Sequence, residues 1–331
     1  MTLDDPKIQA ALFGVLLPAI AGGGFATVSL LLARSKQQAA GDPDSVGGGL
    51  SRSGLIPSIA GLLPAVGLGA AYAIASLGLV GVPGSLPRAM VDWLLPIVTA
   101  GVLVATVPML LPRGLPAISG LWLARAAFIA AVLIWPIANT RANHWEGAES
   151  IAWHISGAIW LLTAFASMAR VSRKASPVMM CVLLGVSIAG LIPVVFGAGV
   201  TSHPQVSGGL AAGVGGLGVV AIVARGRLPI AACGSVFVAW LTASLLVGWQ
   251  FVADMAWWEF GVVAAIPLVL AAATFAPKLR SFGPVRLGVV LVVLAGGMTA
   301  AVSARHVPAM VAELTGSRAG SGDSLDDYYG F

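Results

Sequence analysis

Residues 177–199 read PVMMCVLLGVSIAGLIPVVFGAG, with no charged side chain anywhere in the stretch and Arg170, Arg173 and Lys174 just before it. At ~1.5 Å per residue, a helix of this length covers the ~30 Å hydrocarbon core of a bilayer. The stretch is apolar on every side, so it has no polar face to turn toward water. It reads as a membrane span.

Working outward, nine more stretches read the same way: Ile8–Ala33, Leu55–Val80, Trp93–Leu111, Leu115–Ile137, Ile151–Met168, Gly208–Ala224, Leu228–Val252, Trp258–Phe275 and Leu287–Ser303. Strands of a membrane barrel would alternate apolar and polar positions over ~10 residues, and these runs do not. Helices are the remaining way to satisfy the backbone in lipid. The expected fold is an all-α, polytopic integral membrane bundle of about ten transmembrane helices. That number admits a five-plus-five inverted repeat.

Composition agrees. Hydrophobic residues make up 58% of the chain and charged residues 9%, against about 25% charged in soluble domains. The net charge of +5 does not mark a nucleic-acid partner, because the basic residues sit in short connections between apolar runs. Arg34, Lys36, Arg52, Arg113, Arg170, Arg173, Lys174, Arg225, Arg227, Lys278, Arg280 and Arg286 all fall on alternate connections. The positive-inside rule places those connections in the cytoplasm and both termini outside a cell membrane. The first stretch lacks a basic leader and is too long for a signal-peptide core, so it is expected to remain as the first helix.

Residues 1–315 are expected to form one bundle. Two segments look non-membranous: the polar loop 35–53 and the tail 316–331, which ends in acidic and aromatic residues. Both have the composition of flexible chain. Cys181 and Cys233 lack any metal or redox spacing.

Few residues are candidates for chemistry. Arg125 lies mid-span, where a guanidinium costs several kcal/mol unless paired or hydrated. It reads as a counter-charge for an anionic substrate, or more simply as a side chain snorkelling to the inner interface. Acidic and histidine residues collect on the outer side, with His144, Glu146, Glu149, His154, Asp254 and Glu259 forming the candidate outer-face cluster. Such groups suit proton transfer or metal ligation, although loops must be polar in any case. No known metal spacing is present and no cofactor is expected. Trp93, Trp135, Trp145, Trp153, Trp249, Trp257 and Trp258 map to the outer interface as an aromatic belt. The surroundings of Trp257 and Trp258 beside Glu259 are where a lipid or aromatic ligand would be sought.

Pro18, Gly22 and Gly24 in the first span recur in spacing as Pro193, Gly197 and Gly199 in the sixth, and Pro64 interrupts the second. Broken helices at matching places point to a midplane site in inverted-repeat transporters, and equally to ordinary packing. The seventh span is glycine-rich, which predicts close helix contact at the centre of the bundle. Phosphate loops, HExxH and the nucleophile elbow are all missing from the sequence.

The leading expectation is a secondary permease or carrier for a small or amphipathic molecule, an anionic one where Arg125 serves as its counter-charge. A non-enzymatic subunit scaffolding other membrane proteins is the alternative, and an outer-face enzyme acting on a lipid-linked substrate is the third. Expected partners are the lipid bilayer and further membrane subunits or a second copy of the chain.

Overall fold

The computed structural model describes residues 6–40, 55–81, 93–110, 115–134, 147–197, 202–225, 227–250 and 256–315. Among them every regular element is helical. The chain opens with α1 (Pro6–Ala11), a π-helical turn (Leu12–Leu16) and α2 (Leu17–Ala40), then α3 (Leu55–Leu79), α4 (Leu94–Leu110) and α5 (Leu115–Ile134). There follow α6 (Gly147–Lys174), α7 (Pro177–Gly197), α8 (Ser202–Val223), α9 (Cys233–Gln250) and α10 (Trp257–Ala273). A short α11 (Pro277–Arg280) leads into α12 (Pro284–Ser303) and α13 (Val307–Leu314).

Six helical stretches are long and apolar enough to cross a membrane: Ile8–Arg34, Ala60–Leu79, Gly147–Lys174, Pro177–Phe196, His203–Val223 and Pro284–Ser303. They make this a multi-pass helical membrane bundle. The apolar stretches Leu94–Thr106, Ser119–Ile134, Cys233–Leu246 and Trp257–Ala273 are shorter. They fall at the other four expected spans and pack into the same bundle.

Some boundaries differ from expectation. Helix α2 runs to Ala40, past the expected end at Ala33, because Lys36, Gln37, Gln38, Ala39 and Ala40 are good helix formers even outside an apolar layer. The rest of the expected 35–53 loop, and the 316–331 tail, lie outside the described residues. Helix α6 extends the fifth span at both ends. Glu149 stands in its first turn and Arg173 and Lys174 in its last, the placement the helix dipole favours.

Contacts set the helix directions. Pro18 of α2 lies at Gly209 of α8, Gly22 at Gly213 and Gly23 at Gly216, so these two helices run parallel. A methyl group on Gly22 would run into the carbonyl oxygen of Gly213, and one on Gly216 into that of Ala19. Only glycine permits this approach, which gains dispersion contact where lipid offers no hydrophobic drive. Helix α3 runs against both, with Ala75 at Gly209 and Ala71 at Gly213.

The glycine-rich α8 is not the centre of the bundle, because Val219, Ile222 and Val223 remain exposed on one side. The middle belongs to α9, where all but Ser235 between Cys233 and Leu245 are buried. Small residues mark where backbones touch, and that is a different property from being surrounded.

Pro64, Pro193 and Pro267 stand inside α3, α7 and α10, and a side chain from a neighbouring helix donates at, or one residue beyond, the carbonyl each leaves open. Pro64 removes the N–H that would bond Ala60 O, and Ser29 Oγ of α2 donates there at 2.6 Å. Near Pro193, Ser303 Oγ of α12 donates to Gly190 O. Near Pro267, Trp160 Nε1 of α6 donates to Ala264 O at 2.8 Å. Carbonyls loosened by proline in a lipid-solvated helix need such partners. At Pro18 the answer is different: the turn before it widens into the π-helix, with Leu17 N–H bonding Leu12 O.

The two ends of the bundle differ in charge. Arg34, Arg170, Arg173, Lys174, Arg225, Arg227, Lys278, Arg280 and Arg286 gather where α2, α6, α8 and α10 finish. At the opposite end, where α6, α8 and α10 begin, lie His154, His203, Glu149, Glu259, Arg305 and His306. These are called the arginine end and the histidine end below.

Candidate functional site

Toward the histidine end, α5, α6, α9 and α10 enclose an apolar crevice of about 240 Å³. Val132 and Leu133 of α5, Trp153, Gly157, Trp160 and Leu161 of α6, Leu245 of α9 and Phe260 of α10 shape it. Ser156 and Thr242 supply its few polar atoms, and the Thr242 hydroxyl is already spent on Val238 O at 2.7 Å. The crevice exists because α6 carries no side chain at Gly157, where a methyl group would press on Leu133. Bulkier Trp153 and Trp160 stand one turn to either side, and Trp160 reaches α10 through its bond to Ala264 O.

Aromatic rings frame the mouth. Trp153 stacks on Trp257 with centroids 6.3 Å apart, and Trp257 meets Phe260 edge-on at 6.4 Å. Trp257 and Trp258 are themselves exposed. Amphipathic rings at a helix end suit the level of lipid headgroups, and the slot opens among side chains of that kind.

Below the crevice floor, along the same α5–α6 seam, Phe128 and Phe165 meet edge to face at 5.4 Å. Arg125 lies beyond them, only 5% exposed. Its guanidinium carbon is 5.6 Å from the Phe165 ring centroid and 5.0 Å from that of Trp122. Its Nε has no hydrogen-bond partner among the described residues.

Among the six candidate outer-face residues, the structure describes Glu149, His154 and Glu259. His144, Glu146 and Asp254 lie outside the described residues. Glu149 is exposed in the first turn of α6, and His154 Nδ1 is 2.5 Å from Ser150 O on the same helix. Glu259 is fully buried at the start of α10. Its Oε2 accepts the Ala256 N–H at 2.9 Å and its Oε1 accepts Arg305 Nη1 at 3.4 Å. His306 Nε2 lies 3.2 Å from Oε2 but out of line for a hydrogen bond. No group of three or more metal-ligating side chains occurs among the described residues.

The candidate pathway residues are placed as follows. Pro18 and Gly22 lie against Gly209 and Gly213 of α8, Gly24 faces open space, and Pro64 and Pro193 interrupt α3 and α7. Gly197 ends α7, and Gly199 lies outside the described residues. A second hollow of about 400 Å³ borders the π-helical turn, lined by Gln9, Gly14, Leu79 and Gln205 among others.

Sequence reading missed a buried polar chain between α8 and α9. Ser244 Oγ donates to Trp240 O at 2.9 Å, which leaves it to accept from His203 Nε2 at 3.0 Å. Trp240 Nε1 in turn donates to Ser207 Oγ at 3.0 Å. The i to i+4 spacing of His203 with Ser207, and of Trp240 with Ser244, was the available signal, because each pair shares a helix face. No family model, curated protein or solved structure matches the chain.

Proposed function

We propose that this multi-pass membrane protein is a carrier for an amphipathic molecule whose apolar chain it holds in the crevice between α5, α6, α9 and α10. In this reading all ten apolar stretches cross the cell membrane, the arginine end lies in the cytoplasm, and both termini lie outside. The Pro18 and Pro193 helices then occupy corresponding places in two inverted halves of five.

The observation that carries the reading is the crevice itself. It is preformed, lined almost wholly by carbon, and framed by Trp153 and Trp257 at headgroup level. Its size is just under the ~300 Å³ at which small-molecule sites begin, which favours one chain over a whole lipid. Glu259, sealed beneath Arg305 and His306, supports a structural role for that carboxylate over catalysis.

The test is photolabelling in vesicles with a lipid carrying a diazirine near the end of one acyl chain, followed by mapping of the labelled peptides. Label is expected on the segments around Gly157 and Phe260, and Gly157→Trp, which fills the slot, is expected to remove it. Label spread evenly over the lipid-facing surface, or unchanged in Gly157→Trp, would rule the crevice out as the binding site.

A further inference from the structure

Arg125 is a cation near the middle of α5, with 5% of its surface exposed and an Nε that no described group accepts from. The two acidic residues whose side chains are described, Glu149 and Glu259, stand in the first turns of α6 and α10. Phe165, the ring Arg125 faces, is about 24 Å along α6 from Glu149 at ~1.5 Å per residue. Neither carboxylate reaches it. The rings of Trp122 and Phe165 offset part of the desolvation, each by about 0.5–2 kcal/mol, but they accept no N–H from the guanidinium edge. A buried guanidinium costs several kcal/mol in lipid unless it is paired or hydrated, and its planar fork matches phosphate or carboxylate in two-point contact.

The position of Arg125 relative to the crevice gives that unmet charge a direction. Val132 and Leu161 form part of the crevice floor, and Phe128 and Phe165 lie one turn further along α5 and α6. Those two rings separate the chain-binding slot from the guanidinium. Trp122, which covers Arg125 on the other side, is 47% exposed, and its neighbour Leu123 is 72% exposed to the lipid side. The guanidinium thus lies one ring beneath the exposed surface of α5.

From these contacts we infer that the cargo is an anionic amphipath, whose phosphate or carboxylate headgroup meets Arg125 beside Trp122, at a point of its passage distinct from the one at which the crevice holds its chain. The inference rests on the carrier reading, deepens it to a class of cargo, and names Arg125 as the residue that selects it. Trp122 and Phe165 hold the guanidinium in place for that contact.

The full-length protein in phosphatidylcholine vesicles is photolabelled with either of two diazirine-tailed lipids of identical chains, one with a phosphoglycerol and one with a phosphocholine headgroup. The wild type is expected to take up the anionic probe roughly fivefold better, the factor expected for about 1 kcal/mol of preference. Arg125→Met, apolar and of similar length, leaves no unpaired polar group and is expected to bring the ratio to about one, as a lost ~1 kcal/mol preference predicts. Arg125→Lys, which keeps the charge, is expected to retain part of the ratio.

A ratio unchanged in Arg125→Met overturns the inference. So does a wild-type ratio that free inorganic phosphate abolishes, because the anion bound would then be a soluble one. Gly157→Trp separates the two claims. If it leaves labelling intact while Arg125→Met removes the ratio, the crevice reading fails and headgroup recognition stands. If it removes labelling while Arg125→Met keeps the ratio, the crevice stands and Arg125 is not the selector.

Discussion

The Nε2 atom of His306 lies 3.2 Å from Oε2 of Glu259, and this contact ties the corner between α12 and α13 to the first turn of α10. Glu259 is the hub: fully buried, it also takes the Ala256 N–H and the half-exposed Arg305. If the carboxylate goes, the Ala256 N–H loses its acceptor and the buried His306 its neighbour, whereas Arg305 can turn to water.

Glu259→Ala is therefore expected to destabilise the protein by about 2 kcal/mol, the cost of unpaired buried donors. Arg305→Ala, removing an exposed charge, is expected to stay within about 1 kcal/mol. Thermal unfolding in detergent reads both. Equal losses would mean that the buried hydrogen bond at Ala256 contributes nothing.

The bond from Ser29 to the carbonyl that Pro64 leaves open predicts a coupling. Ser29→Ala is expected to cost about 1 kcal/mol in the wild type. In a Pro64→Ala background the new N–H at position 64 can bond Ala60 O, so the same change is expected to be nearly neutral. A double-mutant cycle measures this, and additive losses would show that Ser29 does not act through the Pro64 break.

Glycine contacts separate two readings of the first span. Gly22→Leu is expected to break the α2–α8 contact at a cost of about 1–3 kcal/mol or more, as overpacking does. Gly24→Ala, facing open space, is expected to be neutral or to stabilise by up to about 1 kcal/mol through helix propensity. If both variants fold normally but lose uptake of the photolipid, these glycines serve the pathway and not the packing.

Charge segregation predicts sidedness. In a chain with the buried Cys181 and Cys233 replaced by alanine, Glu149→Cys is expected to react with a membrane-impermeant thiol reagent added outside intact cells. Arg173→Cys is expected to react only after permeabilisation. The reverse pattern would invert the proposed orientation of the whole bundle.

Much of the architecture was readable from residues taken in order. A run such as 177–199 has no soluble alternative, because an apolar helix with no polar face is solvated only by lipid or by other helices. Alternation of basic connections carried the up-and-down order, and the two ends of the bundle do differ in charge along those lines. Arg125 stood out for the same local reason: a charge in an apolar run is costly wherever the helix sits. Prolines 64 and 193 announced broken helices, since a missing N–H is a property of one residue.

What faces what was decided only in three dimensions. Any of several serines could have answered Pro64, and Ser29 does so because Gly67 lets α2 approach α3 beside Phe25. His203 precedes the expected span Gly208–Ala224 and is in fact the buried start of α8, bonded to Ser244 across a helix pair. The crevice beside Gly157 depends on the distance that Trp160 sets between α6 and α10, and the separation of Arg125 from the crevice depends on two phenylalanines from different helices. The amino-acid sequence by itself determined that the chain is a lipid-solvated helical bundle, because that follows from each segment's own transfer free energy. The tertiary structure decided which carbonyl, ring or cavity meets which side chain, because uniformly apolar helices carry no periodic face to say how they turn toward one another.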